Sequence, residues 1–177
     1  MRPLDSDVGS TRVSRSFAFI DLSGFTDFAD LHGDDVAVEE LRVLRAGVRE
    51  AAGAAGVRVD KWLGDGVMLV AVEPQPLVAA VIALRAHHDA HGRLSLRAGI
   101  ATGAVILLDG DDYVGRAVNL AARLCDRAEP DQILAAADAA LTLPAGVNAT
   151  SATTFHVKGF GRDVAAVALA DAALARR

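Results

Sequence analysis

Val57-Arg58-Val59-Asp60-Lys61-Trp62-Leu63-Gly64-Asp65-Gly66-Val67-Met68-Leu69-Val70-Ala71-Val72 reads as two strands joined by one tight turn. The first half alternates apolar and polar residues, the period of a half-buried strand, and residues 66–72 form the unbroken apolar run of a strand buried on both faces. Leu63-Gly64-Asp65-Gly66 between them is short and glycine-rich enough for a hairpin. A hairpin here speaks against a doubly wound parallel sheet, in which strands alternate with helices.

Upstream, Ser16-Phe17-Ala18-Phe19-Ile20-Asp21 is a short aromatic and apolar run that ends at a carboxylate, as a buried strand does, and Ser23-Gly24-Phe25-Thr26 makes a strand-to-helix turn. Between Gly33 and Gly56, Leu41, Leu44, Val48, Ala51, Ala52 and Ala55 share one helical face, with Asp34 and Asp35 available to cap the start. Downstream, Pro74 and Pro76 introduce a helix with Leu77, Val78, Val81 and Leu84 on one face, closed by Gly92. Residues 94–102 return to alternation, 104–108 form a separate apolar segment, and a helix runs from near Gly115 to about Arg127. Residues 133–136, 154–157 and 164–169 read as later short strands. The order β, α, α, β-hairpin, α, β predicts an α+β fold: a ferredoxin-like split βαβ sandwich with a mostly antiparallel sheet and helices on one face.

A chain of 177 residues and 18.3 kDa is one domain's worth. Residues 1–14 are polar and without period, which predicts a flexible N-terminal segment ahead of a single domain over 15–177. A hydrophobic content of 52% against 23% charged residues supports a sizeable core. With a net charge of -5 and a pI near 5.4, the chain lacks the broad positive field that nucleic acid or an anionic membrane demands, so phosphate must be held by local groups. No uncharged apolar run approaches the roughly 18–20 residues of a membrane span. A single cysteine, Cys125, and no recognisable leader fit the cytoplasm.

In a split βαβ fold the first and third strands are central antiparallel neighbours, so Asp21, closing one, meets Asp65, in the turn that opens the other. Two carboxylates so placed suit hard divalent cations; a turn aspartate and a strand-capping aspartate without a metal give the same pattern. Backbone N–H groups at Gly24, Phe25 and Thr26 face a phosphate if they open a helix, although glycine is also a plain turn former. Asn119 and Arg123, four residues apart, project from one side of their helix, with Asp112 in the loop before it; solvated side chains show this spacing too.

Four ordered stretches carry a resemblance: Phe19-Ile20-Asp21-Leu22-Ser23-Gly24-Phe25-Thr26, Lys61-Trp62-Leu63-Gly64-Asp65-Gly66, Leu96-Arg97-Ala98-Gly99-Ile100-Ala101-Thr102-Gly103, and the run from Asp112 through Asn119 and Arg123 to Leu124. A weaker match follows at Val157-Lys158-Gly159. The set resembles the catalytic domain of the class III nucleotidyl cyclases, adenylyl type, and spans most of the chain. The resemblance implies that Asp21 and Asp65, with the Leu22 backbone carbonyl, bind two magnesium or manganese ions. It implies that Lys61 and Asp112 read the purine, Asn119 orients the ribose and Arg123 stabilises the transition state. Arg97 and Lys158 match phosphate contacts, together with the turn at Gly24, Phe25 and Thr26. It further implies a homodimer whose two sites each draw the metal pair from one chain and the base, ribose and transition-state residues from the other. Adenine presents an acceptor at N1 and a donor at its amine, which suit the Lys61 ammonium and the Asp112 carboxylate, so ATP is expected over GTP. The alternatives are a silent cyclase-like regulatory domain that binds nucleotide, and a guanylyl cyclase. One departure is a short stretch, 104–111, where many members carry a longer β-hairpin arm that contributes to the dimer.

Three other features have plain structural readings. His87, His88 and His91 hold an i, i+4 pair but no further ligand in view, and their place at a helix C-terminus suits the helix dipole. Cys125 reads as a packed thiol, and Trp62 as interface or core rather than a stacking platform.

Overall fold

The computed structural model describes residues 11–108, 112–139, 143–150, 152–157 and 159–172. Strand β1 (Thr11–Leu22) leads into helices α1 (Phe25–His32) and α2 (Asp34–Ala55), then the hairpin β2 (Arg58–Leu63) and β3 (Gly66–Ala71). Helix α3 (Pro74–His91) connects to β4 (Leu96–Leu108), and the short β5 (Asp112–Val114) precedes α4 (Arg116–Arg127). The chain finishes with β6 (Ile133–Ala136), β7 (Val147–Ala149), β8 (Thr153–Phe155) and β9 (Val164–Asp171).

The sheet order is β2-β3-β1-β4-β6-β9-β7, with β5 beside β4 and β8 beside β9. Its first four members run antiparallel in the ferredoxin-like order, and β4–β6 is the parallel pair among those described. This matches the expected α+β split βαβ sheet.

The helices do not all lie on one face. Side chains alternate along β1 and β4, so Phe17, Phe19, Asp21, Arg97 and Gly99 share a face, and Ala18, Ile20, Leu22, Ala98 and Ile100 share the other. Helix α4 packs against Gly99, where a Cβ atom would lie 2.1 Å from the Cys125 backbone nitrogen. Helix α3 contacts β1, β3 and β4 and pairs with α2, covering the second face. The unbroken apolar run at residues 17–20 needs cover on both sides, which one layer of helices cannot supply.

Three boundaries differ from expectation. β1 begins at Thr11, because residues 11–14 pair with 104–107 of β4; their polar composition reflects a strand end with solvated side chains, and residues 1–10 of the expected flexible segment lie outside the described residues. Residues 96–108 are one continuous strand rather than two segments. Helix α2 is capped by Gly33, and Asp34 and Asp35 sit in its first turn without a side-chain capping bond, where their charge faces the positive helix end. Residues 133–136 form the expected short strand, which the structure pairs between β4 and β9, whereas β5 and β7, three residues each, carry no period to read.

The core is laid down along the same alternation. Ala18, Ile20, Leu22, Leu69, Ile100 and Leu84 are buried, and truncating Leu84 to alanine is expected to cost about 2–5 kcal/mol. The buried Ser16 hydroxyl is satisfied by that of Thr102 at 2.8 Å, across the β1–β4 pair.

Candidate active site

The β1–β3 register sets Asp21 opposite Gly66, and the Leu22 N–H donates to the Asp65 carbonyl at 3.3 Å, so the two acidic residues meet at one end of the sheet. Asp21 is half-buried at the end of β1. Its Oδ2 accepts from Arg97 Nε at 3.0 Å and Nη2 at 2.6 Å, an approach that follows from the Asp21–Arg97 register of β1 and β4. Burial pushes the Asp21 carboxyl above its usual range, the Arg97 hydrogen bond pulls the other way, and the nearby Asp65 charge adds to the rise. The hydrogen bond from Arg97 to Asp21 in turn holds the guanidinium charged.

This donor set fits a hard cation. Two carboxylates and the Leu22 carbonyl offer oxygen donors of the kind such a cation takes, and the Arg97 guanidinium is the counter-charge on Asp21. Gly66 keeps the space open: a Cβ there would lie 2.7 Å from the Ile20 carbonyl oxygen and 3.4 Å from Asp21 Oδ1. Among the described residues no group of three or more His, Cys, Asp or Glu side chains is gathered.

Directly after Leu22 the chain turns. The Ser23 N–H donates to the Ser95 carbonyl at 2.8 Å, Gly24 takes φ +76°, and α1 opens at Phe25 with Thr26 exposed in its first turn. A positive φ at Gly24 is a conformation that side-chain-bearing residues resist, which ties the glycine to the turn. Ser23, Gly24, Arg97, Asp126 and Arg127 line a hollow of about 420 Å³. A neighbouring hollow of about 170 Å³ lies between the sheet and α4, lined by Phe19, Asp21, Leu63, Gly66, Ala122 and Asp126.

Lys61 and Asp112 are 51 residues apart and come together with Nζ 2.6 Å from Oδ1, both exposed. The hydrogen bond from Lys61 holds the Asp112 carboxyl below its usual range. A bulge between Val59 and Lys61 in β2 adjusts the strand just before this pair.

Asn119 and Arg123 lie one turn apart on α4, as the spacing predicted. Arg123 Nη1 is 3.3 Å from Asp126 Oδ2, so in one chain the arginine turns to its own helix rather than to Asp21. Lys158 lies outside the described residues.

Two features escaped the sequence reading. Asp126 touches both halves of the site, its carbonyl accepting from Arg97 at 3.3 Å and its carboxylate facing Arg123; the three-residue helical offset from Arg123 was the available signal. The Asp21–Arg97 pair depends on strand register across 76 residues, which local pattern does not encode. Cys125 is buried and its thiol is pushed up to about 12, chiefly by desolvation, which makes it the packed group expected. Trp62 is half-buried against the core, with the Arg45 guanidinium 5.1 Å from its ring centre. Among the described residues no helix is long and apolar enough to cross a membrane.

No protein-family model matches the chain. An uncharacterised protein of Mycobacterium tuberculosis is 39% identical over 168 residues, which cover 94% of this chain and 44% of that protein. A pH-sensitive adenylate cyclase of Mycobacterium tuberculosis is 38% identical over 123 residues, covering 67% of this chain and 30% of the relative. The chain thus spans less than half the length of these curated relatives. Among solved structures, the adenylyl cyclase CyaB from P. aeruginosa superposes with a TM-score of 0.77 at 26% identity, covering 92% of this chain and 96% of that one.

Proposed function

The chain belongs to the class III nucleotidyl cyclase catalytic domains, and on that premise we propose that it is an adenylyl cyclase, converting ATP to 3′,5′-cyclic AMP and pyrophosphate as a homodimer with two shared sites. The observation that carries the choice of ATP is the Lys61–Asp112 pair, a cation and a carboxylate side by side at 2.6 Å. Opened towards a purine, the pair offers a donor to adenine N1 and an acceptor to the adenine amine; guanine reverses both polarities and leaves each group facing its like.

In the reaction the ribose 3′-oxygen attacks the α-phosphorus, the bond to the bridging oxygen breaks, pyrophosphate leaves, and the 3′-proton passes to solvent. Asp21, Asp65 and the Leu22 carbonyl would hold two divalent cations, magnesium or manganese, which supply charge neutralisation and a more acidic 3′-hydroxyl. Arg97 and the N–H groups at Gly24, Phe25 and Thr26 bind the outer phosphates, with Lys158 a further phosphate contact. Asn119 orients the ribose through its amide. Arg123 meets the negative charge that grows on the phosphoryl oxygens, a task suited to a planar guanidinium that donates in a fixed fork.

The sharing of sites is supported by the disposition of Arg123, which in one chain faces Asp126 rather than the Asp21 carboxylate. Mixing an Asp21→Ala chain with an Arg123→Ala chain tests it. Each variant alone is expected to be inactive, and the mixture to recover activity through the one composite site that keeps both residues. An inactive mixture, with heterodimers shown to form, counts against shared sites.

A further inference from the structure

Glu40 in α2 and His88 in α3 are buried to 3% and 1% exposure, and the reaction described above uses neither. Glu40 Oε1 accepts hydrogen bonds from the backbone N–H groups of Arg93 at 2.9 Å and Leu94 at 3.1 Å. The same oxygen lies 3.0 Å from His88 Nε2, a close approach without hydrogen-bond alignment. A Cβ on Gly92 would lie 2.4 Å from the His88 ring, so the turn that leaves α3 is seated directly on the imidazole. A buried carboxylate is costly unless it accepts hydrogen bonds, and here Oε1 accepts two from one turn, residues 92–95.

That turn leads straight to the phosphate side of the site. The Ser95 carbonyl accepts the Ser23 N–H at 2.8 Å, and the Ser95 hydroxyl donates to Asp131 at 2.8 Å. β4 begins at Leu96, and the next residue is Arg97, whose guanidinium holds Asp21. Five consecutive residues, 93–97, therefore connect the buried carboxylate to the backbone that precedes Gly24 and to the arginine beside the acidic pair.

We propose that Glu40 is a positioning residue for the triphosphate: by holding the N–H groups of Arg93 and Leu94 it sets the 92–95 turn, and through it the Ser23–Gly24 backbone and the Arg97 guanidinium. The proposal rests on the adenylyl cyclase reading for what these groups bind, and its mechanical part stands apart from that reading. His88 gives the turn its floor. Burial keeps its imidazole below the usual range, against the pull of Glu40 and the neighbouring Asp89, so at neutral pH it adds no charge to the seat.

The test uses the full chain with Glu40→Met, which keeps length but removes the acceptor, and Glu40→Gln, which keeps an oxygen for both N–H groups. Hydrogen exchange without nucleotide is expected to accelerate at Arg93, Leu94 and Ser23 in Glu40→Met by about tenfold, with Val67 and Leu69 in β3 unchanged. Calorimetry with inorganic triphosphate and manganese is expected to show affinity weakened by about tenfold, the factor that equals about 1.4 kcal/mol. With ATP, KM should rise by a similar factor while kcat stays within about twofold, and Glu40→Gln should restore all three readouts. Unchanged exchange at Ser23, or unchanged triphosphate affinity, in a folded Glu40→Met chain overturns the proposal. So does accelerated exchange that spreads to β3 with KM and kcat falling off together, since that marks a general stability role. If the unaltered chain forms no cyclic nucleotide, the enzyme reading fails, and the exchange and triphosphate results still decide the case for Glu40.

Discussion

Gly99→Ala is the substitution through which strand β4 reports most directly on the placement of α4. A Cβ at this position would stand 2.1 Å from the Cys125 nitrogen and 2.2 Å from the Ala121 carbonyl oxygen, both backbone atoms that no rotamer change can move. Normal contact needs roughly 3.5 Å, so the helix has to withdraw by about 1 Å or more. Overpacking of this kind costs about 1–3 kcal/mol, and in a chain of this size each kcal/mol lowers Tm by about 2–4 °C. The same displacement carries Asn119 and Arg123 with it; if they serve the reaction as proposed, a misplacement of about 1 Å costs about a hundredfold in rate. Gly53→Ala is the matched control: nothing lies within 4 Å of its Cβ position inside α2, and alanine there should stabilise by about 0.5–1 kcal/mol. Thermal denaturation and the rate of cyclic nucleotide formation, measured side by side, read both effects. A Gly99→Ala protein with unaltered Tm and unaltered rate would refute the close approach of strand and helix.

Exchanging the proposed base-reading pair, Lys61→Glu with Asp112→Ser, should raise the ratio of kcat/KM for GTP over ATP by about tenfold or more; a ratio that stays put in a folded, active protein removes these two residues from base selection. The lowered His88 pKa means that the unfolded chain takes up the proton first as pH falls, so stability is full above about pH 6.5 and declines below it. Denaturant midpoints from pH 7.5 to 5.5 should show that decline, and His88→Leu should flatten it; an equal slope in the variant would assign the decline to other groups. With its thiol pushed up to about 12 and buried, Cys125 should react with iodoacetamide at pH 7.5 about a hundredfold more slowly in the folded chain than in guanidinium. Comparable rates in both states would contradict its packing.

Strong local periodicity made the β2–β3 hairpin and the long helix α2 legible, and the meeting of Asp21 with Asp65 followed from the antiparallel order of β1 and β3. The unbroken apolar run at 17–20 already implied cover on both faces of β1; assigning all helices to one face neglected it. Residues 11–14 were opaque because a strand end with polar, solvated side chains looks like a disordered lead-in by composition. The join of Lys61 to Asp112 and of Arg97 to Asp21 rests on long-range register, so spacing alone carried no trace of either, and the resemblance supplied only the first as a pair. Glu40 shows the same limit from the other side: on the helical pattern it is one more polar residue of α2, and only the turn folded over it gives it a task.

The most direct test of the central claim is chromatographic product analysis after incubating the purified chain with ATP, or with GTP, and manganese at several protein concentrations. Formation of cyclic AMP from ATP, little cyclic GMP from GTP, and a specific activity that rises with protein concentration is the predicted result. No cyclic product from either nucleotide from a chain that is dimeric in solution would contradict the account and point instead to a cyclase-like domain that binds nucleotide as a regulator.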